Sequence, residues 1–166
     1  MKKILIILIL SLLFFSCEKY EAKKTVDLFL KNMTSGKILK EFPYAENQSK
    51  AFGEILKKNT YQITNVVLDE KTGYGHIDVK MKIVNLAHFK NEFLFLNIRT
   101  TMNTDQSMDD LVYTLKQFFD KKIKENDIYF IERDVKIIIS KNKNNNKWEI
   151  RNSKEVFDIM IAGFFG

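Results

Sequence analysis

Apolar residues recur along this chain with three spacings, and each predicts a different element. From Ile4 to Phe15 only Ser11 interrupts an apolar run. Between Tyr20 and Ser35 the spacing opens to that of a helix: Ala22, Val26, Phe29, Leu30 and Met33 share one stripe, and Gly36 supplies the stop. Ile38, Leu39 and Phe42 predict one further helical turn ended by Pro43, and Ala51, Phe52, Ile55 and Leu56 predict a helix reaching about Asn59. The period then drops from about 3.6 residues to about 2. Ile77, Val79, Met81 and Ile83 alternate with His76, Asp78, Lys80 and Lys82, which predicts a strand with one face in the core. Tyr61 to Leu68 is its partner across the turn Glu70-Lys71-Thr72-Gly73-Tyr74-Gly75. A slip of apolar phase between Ile63 and Val66 predicts a bulge near Asn65.

After Leu86 the spacing is helical again, although Phe93-Leu94-Phe95-Leu96 taken alone also fits a buried strand. Ser107-Met108-Asp109-Asp110 has the form of a capping box. It opens a helix with Met108, Leu111, Val112, Leu115, Phe118, Phe119 and Ile123 on one stripe. Tyr129 to Ser140 and Lys147 to Arg151 form a second hairpin around KNKNNNK, in which Trp148, beside Ile150, is expected to be buried. Asn152-Ser153-Lys154-Glu155 caps a last helix through Val156, Phe157, Met160 and Ile161 to Gly163. Amphipathic elements of both kinds facing one core predict an α+β domain.

The opening run says where such a domain works. Met1-Lys2-Lys3 is positive, and the apolar run after it falls well short of the roughly 20 residues that span a bilayer as a helix. A positive start, a short apolar run and a small residue, Ser16, form an export signal that is removed after translocation. An ordinary cut prefers small residues at the last and third-last places, and Phe14 occupies the latter. Leu13-Phe14-Phe15-Ser16-Cys17 resembles instead the lipobox of bacterial lipoproteins, with Phe14 where Leu is usual. The resemblance implies that the Cys17 thiol carries a diacylglyceryl group and that residues 1–16 are cut away as signal. Residues 17–166 are then one domain, exported and held to a membrane of the bacterial envelope. It also accounts for a lone cysteine. Outside the cytoplasm a free thiol oxidises or forms intermolecular disulfides, and this chain has no second cysteine to bridge. Each buried methylene contributes about 0.8 kcal/mol, so two acyl chains anchor stably where one exchanges.

Charge and composition narrow the remainder. The formal charge of +6 falls to +4 once Lys2 and Lys3 leave with the signal, and the remaining lysines are scattered among Asp and Glu. An exported chain so patterned is no nucleic-acid binder, and a loose affinity for anionic lipid or wall polymer fits it better. No internal repeat is visible, and one Pro and six Gly leave no long flexible linker.

Candidate chemistry is sparse. His76 and Asp78 share one strand face without a third metal ligand, and His88 stands alone near a helix start. Ser140-Lys141-Asn142-Lys143 has the letters of S-x-x-K but lies at a hairpin turn without companion motifs. Gly73-Tyr74-Gly75 turns a hairpin and opens no helix, so it is turn chemistry and not a phosphate loop. Glu132 and Asp134 flank Arg133 at a second phase slip, where paired carboxylates fit acid–base chemistry but an exposed bulge with a neighbouring Arg is the plainer expectation. Asn32-Met33-Thr34 and Asn47-Gln48-Ser49 have the glycosylation pattern, which a bacterial lipobox deprives of meaning. With Cys17 consumed, nucleophilic catalysis has no candidate, and neither a metal nor a cofactor is expected.

The lipobox, TVDLFLKNMTSG, TYQITNVVLDEKTGYGHIDVKM, VKIIISKNKNNNKWEI and IMIAGFFG occur in the order helices, hairpin, helical pair, hairpin, helix. Together they resemble small lipoproteins of unknown function whose domain adopts the nuclear transport factor 2-like, cystatin-like roll. The resemblance implies a curved four-stranded antiparallel sheet packed on helices, with room for a cavity between them. The helical pair at 86–125 is larger than the minimal roll contains, and would fill or cover that cavity. Enzymes with this roll, such as ketosteroid isomerases, set an Asp or Tyr in the pocket. Here Tyr61, Tyr113 and Asp78 are the available counterparts, and nothing in the sequence places them together. The expected function is therefore non-catalytic binding of a small apolar ligand or an envelope protein, at a membrane contacted through the lipid on Cys17. The alternatives are a protective or assembly protein at the membrane and an enzyme that uses the roll cavity. Phe89, Phe93, Phe95, Phe118 and Phe119 are the candidate cavity lining or contact surface, and the plainer reading is that these rings fill the core.

Overall fold

Residues Lys2–Thr34 form one continuous helix, α1. The helix expected from Tyr20 therefore runs on from the apolar segment before it, since no Gly or Pro separates them. It ends where Gly36 turns to a φ of +73° and donates to the Met33 carbonyl. The computed structural model describes residues 2–37, 52–69, 71–101 and 108–161. The helical turn expected before Pro43, the second glycosylation-like triplet and Ser107 of the capping box lie outside them. A short helix at 52–56 is followed by β1 (Thr60–Asp69) and β2 (Tyr74–Val84). Then come α2 (Leu86–Thr101), α3 (Met108–Lys124), β3 (Phe130–Lys141), β4 (Trp148–Ile150) and α4 (Ser153–Met160).

The strands make one antiparallel sheet in the order β1-β2-β3-β4, so the molecule is α+β, a four-stranded sheet with helices packed on it. Helices α2 and α3 are inserted between strands that are neighbours in the sheet. The β1–β2 register shifts between Ile63 and Asn65, where the apolar phase slips. The expected bulge at Glu132–Asp134 is absent, because β2 and β3 pair without interruption from Tyr74–Ser140 to Val84–Phe130. Arg133 takes the core-side phase opposite Met81 yet stays exposed. A residue type, and not an extra residue, breaks that pattern.

Every other residue of β2 from Ile77 to Ile83 is buried, as are Val135, Ile137 and Ile139 of β3. Against them lie Ala22, Val26, Leu30 and Met33 of α1 and Val156, Phe157 and Met160 of α4. The segment Phe93-Leu94-Phe95-Leu96 is helical. A helical turn sends Leu86, Phe89 and Phe93 into the core and leaves Leu94, Phe95 and Leu96 outside, a split that no strand period produces. Burying each large apolar side chain contributes about 1.5–3 kcal/mol, so the α2 stripe is enough to hold the insertion down. At the start of β1 the buried Asn59 accepts a hydrogen bond from the Val84 N–H at 2.8 Å, while its Nδ2 has no partner among the described residues.

Candidate functional site

Helices α2 and α3 pack through rings. Phe89 meets Phe118 and Phe119 edge-on with centroids 6.0 and 6.2 Å away, and Phe93 meets Phe118 at 5.8 Å. All four rings are buried. They belong to the same core cluster as the buried residues of β2 and β3, in line with the plainer reading that these rings pack the core. Phe95 behaves differently. It is 71% exposed, beside the exposed Leu94 and Leu96, and it lines a groove of about 500 Å³ together with Leu96, Phe118, Thr114 and Gln117. This groove runs between α2 and α3 and takes nothing from the sheet. Tyr113 of α3 is also exposed.

One cation underlies the groove. Lys122 falls on the inward stripe of α3, one turn from Phe118 and Phe119, and its side chain is nearly covered. The ammonium lies 5.6 Å from the Phe89 and Phe118 ring centres, and reaches Glu92 of α2 at 2.8 Å and Asp127 at 2.6 Å. Burial alone lowers its pKa, but hydrogen bonds from Lys122 to Asp127 and Glu92 raise it above the usual lysine value. The same pair holds the Asp127 carboxyl below its usual range. Lys122 is a strut that ties α3 to α2. A charged residue on an apolar stripe was the signal for it in the sequence.

The remaining candidates stand apart. His76 and Asp78 are 3.9 Å apart, with Asn65 also bonded to Asp78, and no group of three metal-binding side chains occurs among the described residues. His88 stacks on Tyr129 with ring centres 4.0 Å apart. Tyr61 donates to the Asp27 carboxylate of α1 at 2.8 Å, Asp78 accepts from Asn65 and Tyr113 is exposed on α3. Burial and the Asp27 hydrogen bond push the Tyr61 phenol up to about 12, and Lys31 holds Asp27 below its usual value. Glu132 and Asp134 face Lys82 and Lys80 across the sheet, in a shallow polar depression of about 280 Å³ that also carries Thr60 and Gln62. Such opposite-charge cross-strand pairs are ordinary for a solvated face.

Cys17 is a free, exposed thiol on α1. Its neighbour Glu18 continues the stripe of Ala22, Val26 and Leu30 by one turn and so reaches the second hairpin. One carboxylate oxygen of Glu18 pairs with Lys141 at 2.5 Å and the other accepts from the Trp148 indole at 3.0 Å. Trp148 itself is buried. The sequence placed Trp148 in the core but gave no sign of the clamp, because nothing local connects residues so far apart in the chain.

No family model matches this chain, and no curated protein matches it. Among solved structures, the candidate lipoprotein ycdA of Bacillus subtilis is similar over 82% of this chain and 46% of its own, with 13% identity and a TM-score of 0.46. The chain thus spans less than half the length of that protein. At that overlap the two are not shown to share a fold.

Proposed function

We propose that the chain is a bacterial envelope lipoprotein, anchored through lipid on Cys17, whose α2–α3 face binds apolar side chains of a partner protein without catalysing a reaction. The exposure of Phe95 carries this reading: a large ring, 71% exposed and flanked by Leu94 and Leu96, stands beside an open groove. Lone exposed apolar residues are commonplace, whereas a contiguous strip beside a groove marks an interaction surface. An open groove suits a partner's side chains better than a small ligand, which needs most of its surface enclosed. The lipobox resemblance and the exposed Cys17 support the anchor. The order helix, hairpin, helical pair, hairpin, helix supports a nuclear transport factor 2-like roll as the carrier of that face.

A photo-crosslinking residue at position 95, expressed in the full chain in cells, tests the reading. A discrete protein adduct is expected from position 95 and none from position 132 on the opposite face of the sheet. Phe95→Asp should change stability by no more than about 0.5 kcal/mol, since an exposed ring holds little of the core. A folded, processed protein that gives no adduct from position 95 contradicts the partner face. An adduct of small-molecule mass there would make the occupant a ligand.

A further inference from the structure

The Glu18 clamp joins the residue next to the anchor to one end of the sheet. We infer that the turn between β3 and β4, residues 142–147, rests on anionic phospholipid headgroups of the membrane that holds the chain, an inference that rests on the anchoring of Cys17 proposed above. A flexible tether between lipid and domain would let the domain take any orientation. Here the tether is missing, because Glu18, one residue from Cys17, is held by both ends of the turn's own flanks, Lys141 before it and Trp148 after it. Lys141 also lies 5.9 Å from the Trp148 ring centre, which closes the triangle.

The turn is built to hold its shape. Asn142 and Lys147 are joined by a backbone hydrogen bond of 2.8 Å, as are Asn146 and Asn142. The side chain of Asn142 accepts from the Asn144 N–H and donates to Glu149, and Asn145 accepts from the Lys147 N–H. Asn146 takes a φ of +60°, which Asn tolerates better than most residues. Lys143 and Lys147 remain exposed, with no acid among residues 142–147 to neutralise them. Lys141 is already matched by Glu18. The neighbouring turn of β1–β2, in which Glu70 offsets the formal charge of Lys71, is tied to the same end through the Lys141 N–H and the Gly73 carbonyl and presents a 60% exposed Tyr74. Its Asp69 is engaged by the Lys71 and Thr72 N–H groups, and Glu149 by Arg151. Lysines and a tyrosine beside an acyl anchor are the side chains that suit the interfacial zone of an anionic bilayer.

The test uses the lipid-modified full-length product reconstituted into vesicles of phosphatidylcholine alone or mixed with phosphatidylglycerol. With Cys17 consumed by lipid, Asn144→Cys supplies a single thiol for an environment-sensitive fluorophore, and Glu125→Cys supplies a control at the other end of the sheet. Intact mass establishes the state of Cys17 in each sample. Emission at 144 is expected to shift blue on mixed vesicles and that at 125 to stay water-like. Lys143→Gln and Lys147→Gln should each lower the ratio of docked to undocked protein by about fivefold. Lipid on Cys17 with water-like emission at 144, or with equal shifts at both positions, overturns the inference and leaves the anchor standing. With no lipid on Cys17 the same two positions are labelled in a Cys17→Ser background, and a shift confined to 144 there overturns the anchor and supports the turn. Water-like emission at 144 with no lipid on Cys17 overturns both.

Discussion

Gly73 and Gly75 are two residues apart, and each is required for a different reason. Gly73 turns the β1–β2 hairpin at a φ of +68°, a conformation L side chains rarely adopt. Gly75 lies within β2, and a Cβ there would stand 2.5 Å from the Val67 carbonyl oxygen and 2.7 Å from Leu68 Cδ2. Turn chemistry, which the sequence suggested for both, explains only the first. The second depends on which residue of β1 lies opposite, and register is not written locally in Gly-Tyr-Gly. Gly73→Ala should cost about 1–2 kcal/mol and Gly73→Asn less, whereas Gly75→Ala should cost about 1–3 kcal/mol with no relief from Asn. Urea midpoints of the four variants decide this. Equal tolerance of Asn at both positions would contradict the steric account of Gly75. The phenylalanines show the same limit. Spacing collected five rings, yet only the helical turn count separates buried Phe93 from exposed Phe95.

Between elements, α1 is held to β1 by the Tyr61–Asp27 hydrogen bond, and this contact gives the fold an alkaline signature. Burial first and the bond to Asp27 second raise the phenol from 10.0 to about 12. The folded state therefore holds this proton more tightly than the unfolded chain. Its contribution is whole below about pH 10 and is lost as the pH climbs through about 12. Tyr61→Phe should cost about 1 kcal/mol near neutrality, discounted because the Asp27 side chain is 36% exposed, and should flatten the fall in stability between about pH 10 and 12. Urea midpoints of both proteins across that range make the measurement, and an unchanged alkaline slope would contradict it. At this scale much was legible from spacing. The alternation in β2, the slip at Asn65 and the described part of the α3 stripe, Leu115, Phe118 and Phe119, each correspond to what the structure shows. The slip at Arg133 misled, because an exposed charge in a core-side phase imitates an extra residue.

For the whole molecule, the layers follow from the sequence, while the groove and the clamp depend on how the layers meet. The α2–α3 groove takes nothing from the sheet, while Phe89, Phe93, Phe118 and Phe119 lie in the core cluster together with the buried sheet residues. Glu18 and Lys141 become partners only after α1 crosses the end of the sheet, a contact 123 residues apart in the chain. Both features gain their meaning from the anchor proposed at Cys17. Without it the exposed strip around Phe95 has no stated location, and the turn at 142–147 has no surface to rest on. The most direct measurement of the central claim is the intact mass of the protein recovered from its membrane, for the natural sequence and for Cys17→Ala. Cys17 is expected as the first residue, bearing a diacylglyceryl group, in the former, and an uncut chain that keeps residues 1–16 in the latter. An alanine variant still cut after Ser16 and still held at the membrane would contradict it.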